Sequence, residues 1–404
     1  VDLKSGYPFW AVRNGLMQAF PHLERDVQCE VLVIGGGITG ALIADQLCRA
    51  GHDVALLEQR DIGWGSTAAS TALLQYEIDT PMVALARRYG LEQALLAYRA
   101  CADAIEALGE LAKPLREVDF QHARSLYYAS RTRDLRELID EYELRQQHGF
   151  AVHWLDAAGL QAQYGFSAPG AILSELAASV DPYRLTYRLL ERLRGDGCQV
   201  YDRTRLTRLQ PTEHHVVAHC ENGASVRCNQ VVMAAGYANQ GWIDQRVARN
   251  RSSYAFVTDP LHPDELGALQ ETLLWETARP YLYLRSTADD RLLVGGDDDA
   301  VDLPARRDAR VDGKARKLAA KVGKLLPHLQ PVVPAFAWAG TFAETEDGLP
   351  FFGPHPQWGP RIHFAMAYGG NGITYSMTGA GIVQAAIEKR RHPLAALYGF
   401  ARLG

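Results

Sequence analysis

Residues 30–40 read Glu30-Val31-Leu32-Val33-Ile34-Gly35-Gly36-Gly37-Ile38-Thr39-Gly40, and the chain then runs through Val54-Ala55-Leu56-Leu57 to Glu58. The apolar run 31–34 predicts a short buried strand ending in glycines. Ile38 to Ala50 predicts a helix stopped by Gly51, and Asp53–Glu58 predicts a second strand ending in an acid. Gly35, Gly37 and Gly40 fit GxGxxG. Their physical roles differ, in order: a tight turn, an open approach for a pyrophosphate, and close helix–strand packing. The helix start offers unpaired N–H groups and the positive end of a dipole to phosphate oxygens. An acid about 20 residues further on can accept hydrogen bonds from ribose hydroxyls, and Glu58 stands there. A plain strand–turn–helix could carry the same glycines. The strand before, the helix after and the acid beyond together point to a dinucleotide, without separating a nicotinamide from a flavin.

Outward from this unit, residues 81–112 and 131–148 have helical patterns, and Asp181-Pro182 opens a helix running to Gly195. Strands are expected at Gln199–Tyr201, His215–His219, Ser225–Cys228 and Gln230–Ala234, and the pattern from 250 to 300 is strand-like. Residues 313–326 predict a basic amphipathic helix holding Lys314, Lys317, Lys321 and Lys324, read as a solvated outer face. A last helix is expected over 375–390. The chain has 404 residues, 47% hydrophobic and 22% charged, with net charge −5. That composition is globular, and a mildly acidic chain without a basic run is a poor nucleic-acid binder. The longest apolar stretch, near 31–44, is too short to span a membrane. Six cysteines without a CxxC pair, and thirteen histidines without HExxH, argue against a disulfide framework and a metal centre. With no charged leader before an apolar region, the expectation is a cytoplasmic protein.

Four further blocks resemble one family in order along the chain. Arg60-Asp61-Ile62-Gly63-Trp64-Gly65-Ser66-Thr67-Ala68-Ala69-Ser70-Thr71 is similar to the segment of the D-amino-acid oxidase / sarcosine oxidase / glycine oxidase superfamily that runs along FAD. Asp181–Leu185 resembles its "DP" helix start. Gln230–Gly236 resembles a strand that returns to the cofactor through a small-residue turn. Trp338-Ala339-Gly340, Thr345–Pro350 and Tyr368–Thr374 resemble its closing flavin loop. The resemblance implies an α/β fold: a Rossmann-like FAD-binding domain with an inserted mixed or antiparallel-sheet substrate domain. Residues 1–80, 175–245 and 335–404 would form the first, and 81–174 and 246–334 the second. The expected cofactor contacts are Gly35, Gly37, Ile38, Thr39 and Gly40; Glu58, Gln59 and Arg60; Gly65, Ser66, Thr67 and Thr71; Leu206, Ala235 and Gly236; and Gly348, Gly369, Gly370, Asn371, Gly372, Ile373 and Thr374. A helix beginning after those last glycines would aim its dipole at the flavin pyrimidine edge.

Departures from the family matter equally. Relatives with covalent flavin use a histidine in the 67–70 stretch or a cysteine near Trp338; this chain has neither, so FAD is expected to be non-covalent. Glycine and D-amino-acid oxidases place a carboxylate-binding arginine where Phe342 stands. Sarcosine oxidases place a lysine at Thr374 and arginines at Ala72 and Gln75. With these clamps missing, Arg285 is the expected substitute, sharing a strand face with Tyr281 and Tyr283 by alternation. Gln75, Tyr283 and Tyr254 are the other candidates for positioning substrate, and Trp275 is a weaker one. The implied reaction is oxidation of a C–N bond in an amine or amino acid by hydride transfer to flavin, followed by imine hydrolysis. Electrons would pass to oxygen or another acceptor. No lysine falls in a flavin block, which favours a dehydrogenase or a slow oxidase. A flavin subunit of a multi-component dehydrogenase and a non-catalytic FAD-binding scaffold are the alternatives.

Overall fold

A computed structural model describes residues 3–301 and 303–403. Strand Val27–Ile34 sits mid-sheet, parallel to Val54–Leu57 on one side and to Ser225–Met233 on the other. Gln199–Tyr201 and Ile362–Met366 extend the parallel ladder outward, Phe351–Pro354 closes one edge, and the hairpin Leu206–Pro211/Val216–Cys220 joins Ser225–Met233. Such a sheet needs cover on both faces. Val31, Val33, Val54 and Leu56 pack beneath helices Ile38–Arg49, Pro182–Gly195 and Gly372–Ile387. Leu32, Ile34, Ala55 and Leu57 pack into a second cluster on the other face with Val216, Phe351 and Phe364. Side-chain alternation along one short strand thus supplies two cores.

The second sheet has nine strands, mostly antiparallel. Its centre runs from Phe336–Glu344 through Arg249–Pro260, Arg291–Asp299, Leu282–Ser286 and Thr272–Glu276 to Gln121–Tyr128, then to Ala171–Ser179. Strands Leu73–Gln75, Ala171–Ser179 and Phe336–Glu344 belong to this sheet, so its membership crosses the expected divisions at 80, 175 and 335.

Helix Pro182–Gly195 starts as its sequence implies: the Asp181 carboxylate accepts from Tyr183 N (3.0 Å) and Arg184 N (2.9 Å), with Pro182 in the first turn. Two expectations need correction. The segments 225–228 and 230–234 form one strand, because parallel pairing continues from Val27–Val226 to Ile34–Met233 across polar Asn229. The lysines of helix Val311–Leu325 are not simply solvated: Lys314 and Lys317 pair with buried Asp297 (2.9 and 2.6 Å), and Lys321 with Glu276 (2.9 Å), pinning the helix to the second sheet. No helix among the described residues is long and apolar enough to cross a membrane.

Candidate active site

Between the two sheets lies a cavity of about 860 Å³, towards the upper end of the roughly 300–1,000 Å³ typical of small-molecule sites. Gly35, Gly37, Ile38 and Thr39 form its first wall. Gly35 has φ +118°, and a Cβ there would lie 2.4 Å from the Ala234 carbonyl oxygen. Gly40 lies outside the cavity. A Cβ on it would stand 1.8 Å from the Gly35 carbonyl oxygen, so it acts by letting the helix lie against the strand end. That helix has no side-chain cap, which leaves N–H groups of its first turn for an anion, although Ile38 N donates to Thr67 Oγ1 (3.0 Å).

Glu58, Gln59 and Arg60 line one end of the cavity. The Glu58 carboxylate accepts from Gly36 N (2.8 Å) and Arg60 N (2.9 Å), which fixes its orientation, while burial pushes its carboxyl above the ordinary range. Gly65, Ser66, Thr67 and Thr71 continue along the wall, with Leu206, Ala235 and Gly236 opposite. Arg60 Nε and Ser66 Oγ are buried without hydrogen-bond partners among the described residues. Two orphaned donors at an oriented acid and a bare helix start fit a dinucleotide phosphate and ribose.

The closing loop Gly369–Ile373 faces the same space. Asn371 Nδ2 donates to the Gln75 (2.9 Å) and Glu77 (2.8 Å) carbonyl oxygens, and Gly370 N donates to Asp79 Oδ2 (2.8 Å). Thr39 Oγ1 and Ser376 Oγ stand 2.8 Å apart. Chain segments some 300 residues apart thereby share one cavity, and helix Gly372–Ile387 begins at it uncapped. Two expected contacts sit behind this wall. Gly348 accepts from Tyr375 Oη (2.7 Å) through its carbonyl oxygen, and Thr374 Oγ1 donates to the Asn371 carbonyl oxygen (2.9 Å). Both shape the loop rather than face the cavity.

Beyond the loop the wall turns aromatic. Tyr127 stacks on Trp275 (3.7 Å between centroids), and Trp275 Nε1 and Gln75 Nε2 both donate to Ser125 Oγ (3.0 and 2.9 Å). Gln75, Trp275 and Tyr283 line the cavity, with Tyr283 Oη 3.2 Å from Ser253 Oγ and its hydroxyl pushed up to about 12 by burial.

Arg285 is not there. Its guanidinium is buried behind the cavity wall, donating to the carbonyl oxygens of Thr71 (2.8 Å), Ser286 (2.9 Å) and Val180 (3.2 Å). Alternation put it on the right face, but one pair further along the strand than the cavity reaches. Burial pushes its guanidinium down to about 10. Tyr254 is also misplaced: it packs in the core under helix Val311–Leu325 and donates to Asp299 Oδ2 (3.2 Å).

Charged residues that sequence reasoning passed over do reach the cavity: Glu77, Asp79, Arg251, Arg279, Asp298 and Glu344. Arg251 pairs with Phe342 across two strands and binds Glu344 (Nε–Oε2 2.5 Å). Its signal was in the fold: a cation facing Phe342 could be found only by knowing that Arg249–Pro260 is the neighbouring strand. Arg279 lies over the Tyr281 ring (3.3 Å) and donates to the Asp79 carbonyl oxygen (3.2 Å).

Comparisons with known proteins agree with this geometry. The family described as DAO, FAD dependent oxidoreductase, matches residues 30–385. Gamma-glutamylputrescine oxidoreductase of Escherichia coli (strain K12) is 26% identical over 375 residues, covering 91% of this chain and 85% of that protein. Glycine oxidase of Geobacillus kaustophilus (strain HTA426) is 25% identical over 376 residues, covering 89% and 93%. The crystal structure of glycine oxidase from Geobacillus kaustophilus superposes with a TM-score of 0.77 over 93% of this chain and 99% of its own at 20% identity. L-proline dehydrogenase from P. horikoshii gives 0.78 over 95% and 98% at 16% identity. With the family matched across most of its length and its glycine turn, acid and closing loop on one cavity, this chain belongs to the DAO family of FAD-dependent oxidoreductases.

Proposed function

We propose that the protein oxidises a C–N bond of an amine or amino acid at this cavity, with FAD held non-covalently. The observation that carries the reading is that the glycine turn Gly35–Thr39 and the loop Gly369–Ile373 open on one space continued by Gln75, Trp275, Tyr281 and Tyr283. FAD, when bound, supplies the group that accepts a hydride from the carbon beside nitrogen. The chain's own residues would do the rest. Gly37–Thr39 would hold the pyrophosphate, Glu58 the ribose, Gly65–Thr71 the length of the cofactor, and Gly369–Ile373 its pyrimidine edge. The aromatic wall would exclude water and hold the alkyl part of the substrate near the ring. No side-chain base is needed if the amine arrives neutral, and water then hydrolyses the imine.

Relatives support the choice of bond: gamma-glutamylputrescine oxidoreductase and glycine oxidase are both named for nitrogen-bearing substrates. Non-covalent attachment is supported because the described residues lining the cavity include no histidine or cysteine. All six cysteines are free, which supports a reducing, cytoplasmic setting. Division into a cofactor domain built on the parallel sheet and a substrate domain built on the nine-stranded one is part of the same proposal. Arg251 and Arg279 place positive charge in the cavity without a lysine. The electron acceptor is therefore read from whether air restores the reduced protein's colour, with peroxide as product. The reading is tested by an anaerobic screen of amines and amino acids for loss of flavin absorbance. If the flavin responds to no amine or amino acid, the protein is a scaffold rather than an enzyme of this class.

A further inference from the structure

The substrate end of the cavity is lined by four acids, Glu77, Asp79, Asp298 and Glu344, and two arginines, Arg251 and Arg279, and they are not equally satisfied. Glu77 is met by buried Arg145 (3.4 Å) and by Ser174 Oγ, which donates to it (2.5 Å). Glu344 is neutralised by Arg251 at 2.5 Å. Asp79 accepts the Gly370 amide at 2.8 Å, beside the start of helix Gly372–Ile387. Arg279 is occupied at the rim, stacked on Tyr281 and bonded to the Asp79 main chain. Asp298 is different. Its neighbours in the run Asp297–Asp299 point outward to cations: Asp297 pairs with Lys314 and Lys317, and Asp299 with Arg310 (2.8 Å). Asp298 turns the other way, into the cavity beside Ser253. Its Oδ1 is buried with no hydrogen-bond partner among the described residues. The Tyr281 hydroxyl, also on the cavity, is buried and unpartnered in the same way.

A buried carboxylate oxygen left unpaired is costly unless a donor or cation meets it. Burial pushes the Asp298 carboxyl up to about 6, with Asp79 and Glu344 adding to the shift and Ser253 and Lys314 acting against it. Ala72, Gln75 and Phe342 line the cavity without charge, and Thr374 lies behind its wall. Arg279 and Lys314 act on Asp298 from a distance, yet the four acids outnumber Arg145, Arg251 and Arg279 by one, so the charge balance at the substrate end is negative. On the same cavity Trp275 and Tyr281 (6.2 Å between centroids) offer apolar surface for an alkyl chain, with Tyr127 stacked on Trp275 and Arg279 covering one face of Tyr281.

We propose that Asp298, with the Tyr281 hydroxyl, forms a subsite for a second, non-reacting ammonium group, so that the preferred substrate class is an aliphatic diamine rather than a carboxylate-bearing amine. The proposal rests on reading the cavity as an amine-oxidation site. One nitrogen meets Asp298 while the carbon beside the other lies in the cofactor's reach.

The test compares three probes of equal carbon count on the FAD-loaded protein: 1,4-diaminobutane, 1-aminobutane and 4-aminobutanoate. Binding is measured anaerobically by thermal shift and by perturbation of the visible spectrum, and oxidation by loss of flavin absorbance. The diamine is expected to bind about ten- to a hundred-fold more tightly than the monoamine, the range for one charge-assisted hydrogen-bonded contact. Asp298→Asn should bring the diamine-to-monoamine ratio close to one. Equal binding of diamine and monoamine by the wild type, tighter binding of 4-aminobutanoate, or no binding of the diamine overturns the subsite, and none of these needs the variant to fold. A diamine that binds with this preference but never reduces the flavin would instead remove the oxidation reading and leave the subsite standing. Monoamines oxidised as well as diamines would do the reverse.

Discussion

Replacing Gly40 by alanine adds one methyl group at the tightest point of the cofactor cradle. A Cβ there would lie 1.8 Å from the Gly35 carbonyl oxygen and 3.0 Å from its carbon. That carbonyl is backbone inside the turn, so no side chain can swing aside. To reach an ordinary contact, the helix Ile38–Arg49 and the turn must part by more than about 1 Å. The displacement moves the helix start that would face the pyrophosphate, and hydrogen bonds to a charged group are worth about 1.5–3 kcal/mol each. Loss of one or two of them should weaken FAD binding by about a hundred-fold. Overpacking should also cost the apoprotein about 1–3 kcal/mol of stability. Gly313→Ala is the control, since a Cβ at Gly313 meets nothing within 4 Å and lies inside the helix Val311–Leu325. There the change should be neutral or stabilising by about 1 kcal/mol. Fluorescence titration of apoprotein with FAD gives the affinities, and thermal unfolding of the apoproteins gives the stabilities. If Gly40→Ala binds FAD as tightly as Gly313→Ala, the cradle is not at this turn and the reasoning fails.

Arg285→Met should leave KM for any substrate unchanged but strand three carbonyl oxygens in the core, lowering stability by about 3–5 kcal/mol. A raised KM with normal thermal stability would return Arg285 to the site. Diamine binding should weaken as pH falls through about 6, because Asp298 becomes protonated there; the groups facing it are Asp79, Glu344, Ser253, Tyr283, Arg279 and Lys314. At pH 5 the loss relative to pH 7.5 should approach about ten-fold. A flat profile between those values speaks against an ionised Asp298 in binding. His363 is buried and its ring is held down at about 4 by desolvation. Its folded value is depressed below the unfolded one, so its stabilising contribution is present above pH 6.5 and lost as pH falls through 4. His363→Gln should flatten that part of the stability–pH curve, and an unaltered slope would assign it elsewhere.

The cofactor end of this molecule is legible in sequence because its chemistry is local. A strand, a glycine turn, a helix start and an acid lie within about 30 residues, and each has a backbone reason to be what it is. The closing loop is legible for the same reason: Gly370 and Asn371 are dictated by close contacts to residues 75–79. The substrate end is built differently. Arg251, Asp298 and Glu344 come from three strands, and their meeting depends on register. The bulge between Ser252 and Tyr254 offsets the strand opposite Asp297–Asp299, and two-residue alternation cannot foresee it. Arg285 failed for a related reason. Period-two reasoning gives the face of a strand but not how far along it a cavity extends. Tyr254 faces the opposite side of its strand from Ser253, which alternation would have shown had the cavity-facing member been known.

The central claim is that this cavity holds dissociable FAD and uses it to oxidise a C–N bond. Anaerobic titration of the purified yellow protein with amines and amino acids, followed by acid precipitation of the same sample, tests both halves in one measurement. The expected result is a stoichiometric loss of flavin absorbance with at least one nitrogen-bearing substrate, and all the flavin in the acid supernatant. Flavin that stays with the pellet, or absorbance that no amine or amino acid changes while an alcohol bleaches it, would contradict the account.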